Sequence, residues 1–86
     1  MTDAHALHDH HHAAAMHLET AAELHGNAAQ CALAGDHVAA YHFAHLAHGH
    51  KLHASAHVEA AAKQMAQSEA ATHEARGLRV VGPRAA

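Results

Sequence analysis

Apolar residues recur along most of the chain with the three- and four-residue spacing of α-helices. Alanine, the strongest helix former, fills the sequence together with Leu, Met, Glu and Gln, and the first proline is Pro83. The clearest interruption is the tripeptide Ala34-Gly35-Asp36. Gly35 suits the left-handed end of one helix, and Asp36 suits the N-cap of the next. The pattern therefore predicts two helices joined by a tight turn.

A second helix ending follows from Arg76-Gly77, where a cationic residue in the last turn precedes glycine. The sequence predicts helix 1 over residues 4–34 and helix 2 over residues 36–76. Together they form one hairpin domain over residues 1–77. Residues 78–86 are predicted to form a flexible C-terminal tail.

One face of each predicted helix carries mostly small apolar side chains at three- and four-residue spacing. On helix 1 this face comprises Leu7, Ala14, Leu18, Ala21, His25, Ala28 and Ala32. On helix 2 it comprises Ala40, Phe43, Ala47, His50, Ala54, His57 or Val58, Ala61 and Met65. A connection this short allows only an antiparallel pair, so the predicted fold class is an all-α antiparallel helical hairpin. We expect Tyr41 and Phe43 to fill the turn end of the hairpin.

A single hairpin of this composition has a thin core. The sequence contains one Phe, one Tyr and no Trp, and small domains need a further source of stability when their core is small. Leu24, Cys31, Leu46 and Leu52 also lie outside the two faces. We therefore expect a homodimer in which two hairpins form a four-helix bundle.

The charge balance excludes several kinds of partner. The chain has 5 Lys and Arg against 8 Asp and Glu, a formal net charge of −3, so no standing basic patch for nucleic acid is expected. No apolar run approaches the roughly 20 residues that cross a bilayer, so no membrane partner is expected. Cys31 is the only cysteine, and Met1 to His12 lacks the apolar core of a signal peptide. These features predict a cytoplasmic protein.

Histidine is the anomaly of the composition, with 15 residues in 86. On helix 2, four of them fall within a stripe about 80° wide at 3.6 residues per turn; they are His42, His50, His53 and His57. Residues three or four apart on a helix have Cβ atoms about 5 to 6 Å apart, so their imidazoles can converge on one ion at about 2.0 to 2.1 Å. The stripe therefore predicts metal ligands.

Helix 1 supplies opposing candidates if the turn is centred on Gly35. His17 then faces the segment from Ala54 to His57, and a site of His17, His53 and His57 is expected. A second site is expected from His25 with His50 and His42. His10 or His11 falls a turn beyond His57. The full set of predicted metal ligands is His10, His11, His17, His25, His42, His50, His53 and His57.

Ligation by imidazoles, with few carboxylates nearby, favours copper first and then zinc or nickel, rather than calcium or magnesium. Met16, Met65 and Cys31 are possible soft ligands for Cu(I). The predicted function is binding of transition-metal ions for storage, buffering or detoxification. His5, His37 and His73 are interpreted as solvated side chains.

Two other functions remain open from the sequence. Histidines on the helix faces, such as His50 and His57, would charge in acid and make a pH-responsive assembly without any metal. A haem or catalytic metal protein is the weaker alternative, because no general base or nucleophile stands in a defined arrangement and pocket-forming aromatics are scarce. The sequence therefore predicts no enzyme.

The stretch from residue 13 to residue 63 resembles an uncharacterised family of small His- and Ala-rich helical-hairpin proteins of proteobacteria. The resemblance is carried by Gly35-Asp36-His37, His42-Phe43-Ala44, Ala47-His48-Gly49-His50 and His53-Ala54. It implies a hairpin fold and native histidines, and it implies no activity. Ferritin-like and hemerythrin-like bundles are similar in architecture only, since the Glu-x-x-His pair of their di-iron sites is missing.

Overall fold

The computed structural model of the protein describes residues 4–75, with side chains described through residue 71. It consists of two antiparallel helices, α1 (Ala4–Leu33) and α2 (His37–Ala75), which pack along their length. The predicted all-α helical hairpin is confirmed. The predicted tail over residues 78–86 and the ending at Arg76-Gly77 lie outside the described residues.

The turn between the helices provides hydrogen bonds to backbone groups of both helix ends. Gly35 has a φ of 82°, the left-handed conformation in which a Cβ would be strained. The Asp36 amide donates to the Cys31 carbonyl at 2.9 Å, and the Gly35 amide donates to the Ala32 carbonyl at 3.0 Å, which is a Schellman motif. The Asp36 Oδ1 then accepts a hydrogen bond from the Ala39 amide at 3.0 Å and caps α2. The predicted turn chemistry is confirmed.

Alanines at seven-residue intervals form the buried contact between the helices. They are at most 7% exposed, and in the described chain they are Ala14 and Ala21 on α1 and Ala47, Ala54 and Ala61 on α2. A second row, made of half-buried residues, lies three positions after these alanines and three positions after Leu7 and Ala40. That row consists of His10, His17 and Leu24 on α1 and Phe43, His50, His57 and Gln64 on α2. A repeat of seven with two contact positions is the pattern of an antiparallel coiled coil.

The predicted contact face is confirmed on α2 from Ala40 to Ala61, but it is partly wrong on α1. Leu18 is 51% exposed, and His25 and Ala32 are exposed as well. The prediction chose the residue four positions after each core alanine, whereas the structure uses the residue three positions after it. Hydropathy favours Leu18 over its neighbour His17, so the apolar pattern alone selects the wrong row.

Several large apolar side chains remain on the surface of the single hairpin. Met65 is 49% exposed and Val58 48%, so neither belongs to the core that the sequence suggested for them. Tyr41 is 76% exposed, and only Phe43 is half-buried at the turn end. Within the described residues, neither helix has a stretch long and apolar enough to cross a membrane.

Candidate metal centre

Two pairs of histidines meet across the hairpin. The Nδ1 atoms of His17 and His50 lie 2.9 Å apart, and those of His10 and His57 lie 3.0 Å apart. In each pair, a protonated ring nitrogen of one imidazole donates to the lone pair of the other. Each contact therefore uses one proton between two rings and is compatible with two neutral imidazoles.

The two pairs occupy equivalent places in the coiled coil. His17 follows His10 by one heptad on α1, and His57 follows His50 by one heptad on α2. In an antiparallel pair this spacing stacks two identical layers, about 10 Å apart along the helix axis at 1.5 Å per residue. Identical spacing on two facing helices therefore produces a repeated imidazole pair.

His17 is the centre of a larger group of rings. Its ring centroid lies 5.2 Å from that of His50, 5.1 Å from that of His53 and 6.0 Å from that of His57. His57 in turn lies 5.3 Å from His10 by ring centroids. The histidine cluster, as we name it, consists of His10, His17, His50, His53 and His57.

Protonation of His17 is disfavoured within this cluster. Partial burial lowers the pKa of His17 below 6.5, and the neighbouring imidazoles of α2 lower it further through repulsion between like charges. These neighbours, in order of decreasing effect, are His50, His53 and His57. The neutral form of His17 is the one that can offer a lone pair to a metal ion.

The distances within the pairs suit joint ligation of one ion. Two nitrogens bound at about 2.0 to 2.1 Å are about 2.9 Å apart at a right angle and about 3.4 Å apart at a tetrahedral angle. The His17 and His50 nitrogens already stand at 2.9 Å. A change of tautomer that moves the shared proton from Nδ1 to Nε2 of the same ring would thus leave two lone pairs at the spacing of neighbouring ligands in a square-planar complex.

Among the side chains described, no three His, Cys, Asp or Glu residues are arranged so that they could hold a metal ion together. A third ligand would require one more ring of the cluster to turn. His53 is the most accessible candidate, because its side chain is exposed while its ring stacks on His17. The arrangement as it stands is two close imidazole pairs rather than a completed metal centre.

The structure brings together five of the eight predicted ligands. The expected group of His17, His53 and His57 is present as ring contacts, and His10 lies against His57 rather than a turn beyond it. The expected group of His25, His50 and His42 is not assembled, because His50 pairs with His17 instead.

Three predicted ligands lie apart from the cluster. His11, His25 and His42 are exposed, and the His42 ring lies 6.0 Å from that of Phe43. Cys31 is half-buried and free, 14 residues from His17 along α1, which is about 21 Å at 1.5 Å per residue. This separation removes Cys31 from the cluster as a soft ligand.

Sequence reasoning missed the pairing of His17 with His50. The signal that could have revealed it is the identical seven-residue spacing from His10 to His17 and from His50 to His57. Such a spacing places both residues of each helix at the same coiled-coil position. The next layer towards the turn carries Leu24 and Phe43 in the equivalent places.

No protein-family model, no curated protein and no solved structure matches the chain. The resemblance to the proteobacterial hairpin proteins therefore stays a prediction.

Proposed function

We propose that this protein binds transition-metal ions through the histidine cluster and serves in their storage, buffering or detoxification. The observation that carries the proposal is the repeated cross-helix pair, with Nδ1 atoms 2.9 and 3.0 Å apart. These nitrogens are at ligand spacing, and the lowered pKa of His17 keeps its lone pair available near neutral pH.

The fold itself does not require histidine at these positions. The layer nearest the turn carries Leu24 and Phe43 where the next two layers carry imidazole pairs. Half-buried imidazoles need hydrogen-bond partners and pack less favourably than aliphatic side chains. Their repetition over two layers therefore supports a role in ligation rather than in packing.

Copper is the favoured ion, followed by zinc and nickel. A 2.9 Å separation matches neighbouring ligands at a right angle, which is the geometry that Cu(II) and Ni(II) prefer, and Cu(II) stands highest in the usual order of affinities. The half-buried cluster with exposed His53 gives ions a short path in and out. Exchange of this kind suits buffering, so the proposal includes no catalysis. The proposed compartment is the cytoplasm, supported by the free thiol of Cys31.

A titration of metal-free protein with Cu(II), Zn(II) and Ni(II) tests this proposal. We expect stoichiometric binding with a Kd below about 10 μM near pH 7.5, and the double variant His17→Ala/His50→Ala should weaken it at least about tenfold, the effect of losing about 1.4 kcal/mol. Isothermal titration calorimetry with a competing chelator measures both quantities. The affinity is expected to fall because the double variant removes one whole imidazole pair.

The matched control is His42→Ala/His45→Ala, which removes two exposed histidines of α2. It should leave the first equivalent of metal bound with unchanged affinity. Equal losses in the two double variants would indicate a diffuse histidine tract and would contradict a site at the cluster. Absence of stoichiometric binding would contradict the proposed function as a whole.

A second candidate function, a pH-responsive hairpin without metal, is favoured by the same shared protons. Because the folded pKa of His17 lies below 6.5, the unfolded chain binds more protons as the pH falls through 6.5. The contribution of His17 to the free energy of unfolding therefore decreases from about pH 6.5 down to its folded pKa and is constant below that pKa. The groups facing His17 from α2 are His50, His53 and His57, whose positive charges would add to the repulsion.

Thermal melting of rigorously metal-free protein between about pH 8 and pH 5 measures this effect. We expect the Tm to fall on acidification, and to fall less in His17→Leu/His50→Phe, which copies the Leu24 and Phe43 layer. A Tm that is independent of pH in the unaltered protein would reject the switch and leave metal binding untouched.

A further inference from the structure

A shallow apolar groove runs along one broad face of the hairpin. Its volume is about 370 Å³, and it is lined by Leu18 from α1 and by Lys51, Ala54, Ser55, Val58 and Glu59 from α2. Leu18 is 51% exposed and Val58 is 48% exposed. Two large aliphatic side chains on neighbouring helices thus face solvent together.

The groove lies on the face opposite to the histidine cluster. His53 and Ser55 flank the buried Ala54, and two residues correspond to about 200° around a helix. His53 contacts His17, whereas Ser55 lines the groove. A molecule seated on the groove would therefore leave the exposed edge of the cluster open.

The charges at the groove are arranged symmetrically about Ser55. Lys51 precedes Ser55 by four residues and Glu59 follows it by four residues, so the three lie on one face of α2. If two copies of α2 cross antiparallel at Ser55, each Lys51 meets the Glu59 of the other copy. This charge pattern is complementary to itself under two-fold rotation, which is the requirement of an isologous interface.

We propose that this groove is the surface on which a second copy of the chain docks, with a two-fold axis at Ser55 and reciprocal pairs of Lys51 with Glu59. Val58 of each copy then packs on the α2 helix of the other copy, between Lys51 and Ser55, and Leu18 packs beside this Val58. The inference assigns to the expected dimer a defined face and register, and it does not rest on metal binding.

A dimer of this kind would cover only a small part of the surface of each hairpin. A stable interface buries about 800 Å² on each partner, roughly one eighth of the 6701 Å² that the hairpin exposes. Burial of half-exposed Leu18 and Val58 supplies the apolar centre, and the charged pairs at its rim select the register. The result is a four-helix bundle in which the groove becomes core.

Charge-reversal variants test the face and the register together. Lys51→Glu and Glu59→Lys should each raise the dimer dissociation constant about tenfold or more, because each replaces two attractive pairs with two repulsive ones. The double variant Lys51→Glu/Glu59→Lys should restore dimerisation. Sedimentation equilibrium on metal-free protein at low ionic strength gives the dissociation constants.

Mixing the two single variants is the most direct test of the reciprocal pairs. In the mixed pair every introduced charge faces an opposite one, so the heterodimer should form at concentrations at which each variant alone is monomeric. Glu23→Lys makes the same charge change at an exposed site outside the groove and should leave the dimer intact. Val58→Asp should give a helical monomer.

Three results would overturn the proposal. The first is that the chain without substitutions is monomeric at about 100 μM, a concentration above the range of a specific micromolar dimer. The second is a dimer that survives Val58→Asp. The third is that the two single variants fail to associate with each other. Metal titration of the Val58→Asp monomer keeps the two proposals separate, since the cluster is expected to bind without the interface.

Discussion

Replacing Ala47 with glutamate is expected to unfold the hairpin. Ala47 is 0% exposed and lies in the alanine row between α1 and α2. A carboxylate there must either be buried without a partner or force the helices apart, at a cost of about 3 to 5 kcal/mol. That range is comparable to the whole stability of a small domain. Circular dichroism should show loss of the cooperative thermal transition.

The matched control for this change is Ala56→Glu. Ala56 is exposed on the same helix, so the two variants share the same change in charge and in helix propensity. Ala56→Glu should melt within a few degrees of the unaltered protein, about what a surface substitution of 0.5 kcal/mol produces. Similar melting of both variants would mean that the alanine row does not hold the helices together.

Metal affinity is expected to fall by roughly two to three orders of magnitude between about pH 7.5 and pH 5. An imidazole with a pKa near 6.5 is about 90% neutral at the higher pH and about 3% neutral at the lower, and two ligands multiply the loss. Because the lowered pKa of His17 keeps more of this residue neutral in acid, the expected loss of metal affinity is smaller than the product calculated for two unshifted imidazoles. Competition titrations at several pH values measure the slope.

The steepness of this profile distinguishes ligand sets. In the acid part of the profile, where free imidazoles are protonated, release of about two protons per bound metal ion would indicate an imidazole pair. A change in affinity smaller than tenfold would point to carboxylate or backbone ligands and contradict the cluster. The helical content of the metal-free protein at the lower pH serves as the control, because unfolding in acid would weaken binding by a different route.

The fold was predictable because its signals are local. Alanine content, Gly35 at the left-handed position and Asp36 at the cap each act over a few residues, and the structure ends α1 at Leu33 and begins α2 at His37, each within one residue of the predicted turn. The contact face of α2 was also predictable, since the alanines and the histidines of its core lie on the same face of the helix. Propensity and capping need no knowledge of the partner helix.

The contact face of α1 and the partners within the site depended on the tertiary structure. The sequence by itself determined a histidine-rich antiparallel hairpin with His17, His53 and His57 near one another. Only the packed hairpin decided that His17 faces α2 in place of the more apolar Leu18, and that His50 pairs with His17 rather than with His25. The physical reason is that a half-buried imidazole is stabilised by a hydrogen-bond partner on the other helix. That partner is set by the antiparallel register, whereas hydropathy describes each residue without its neighbours.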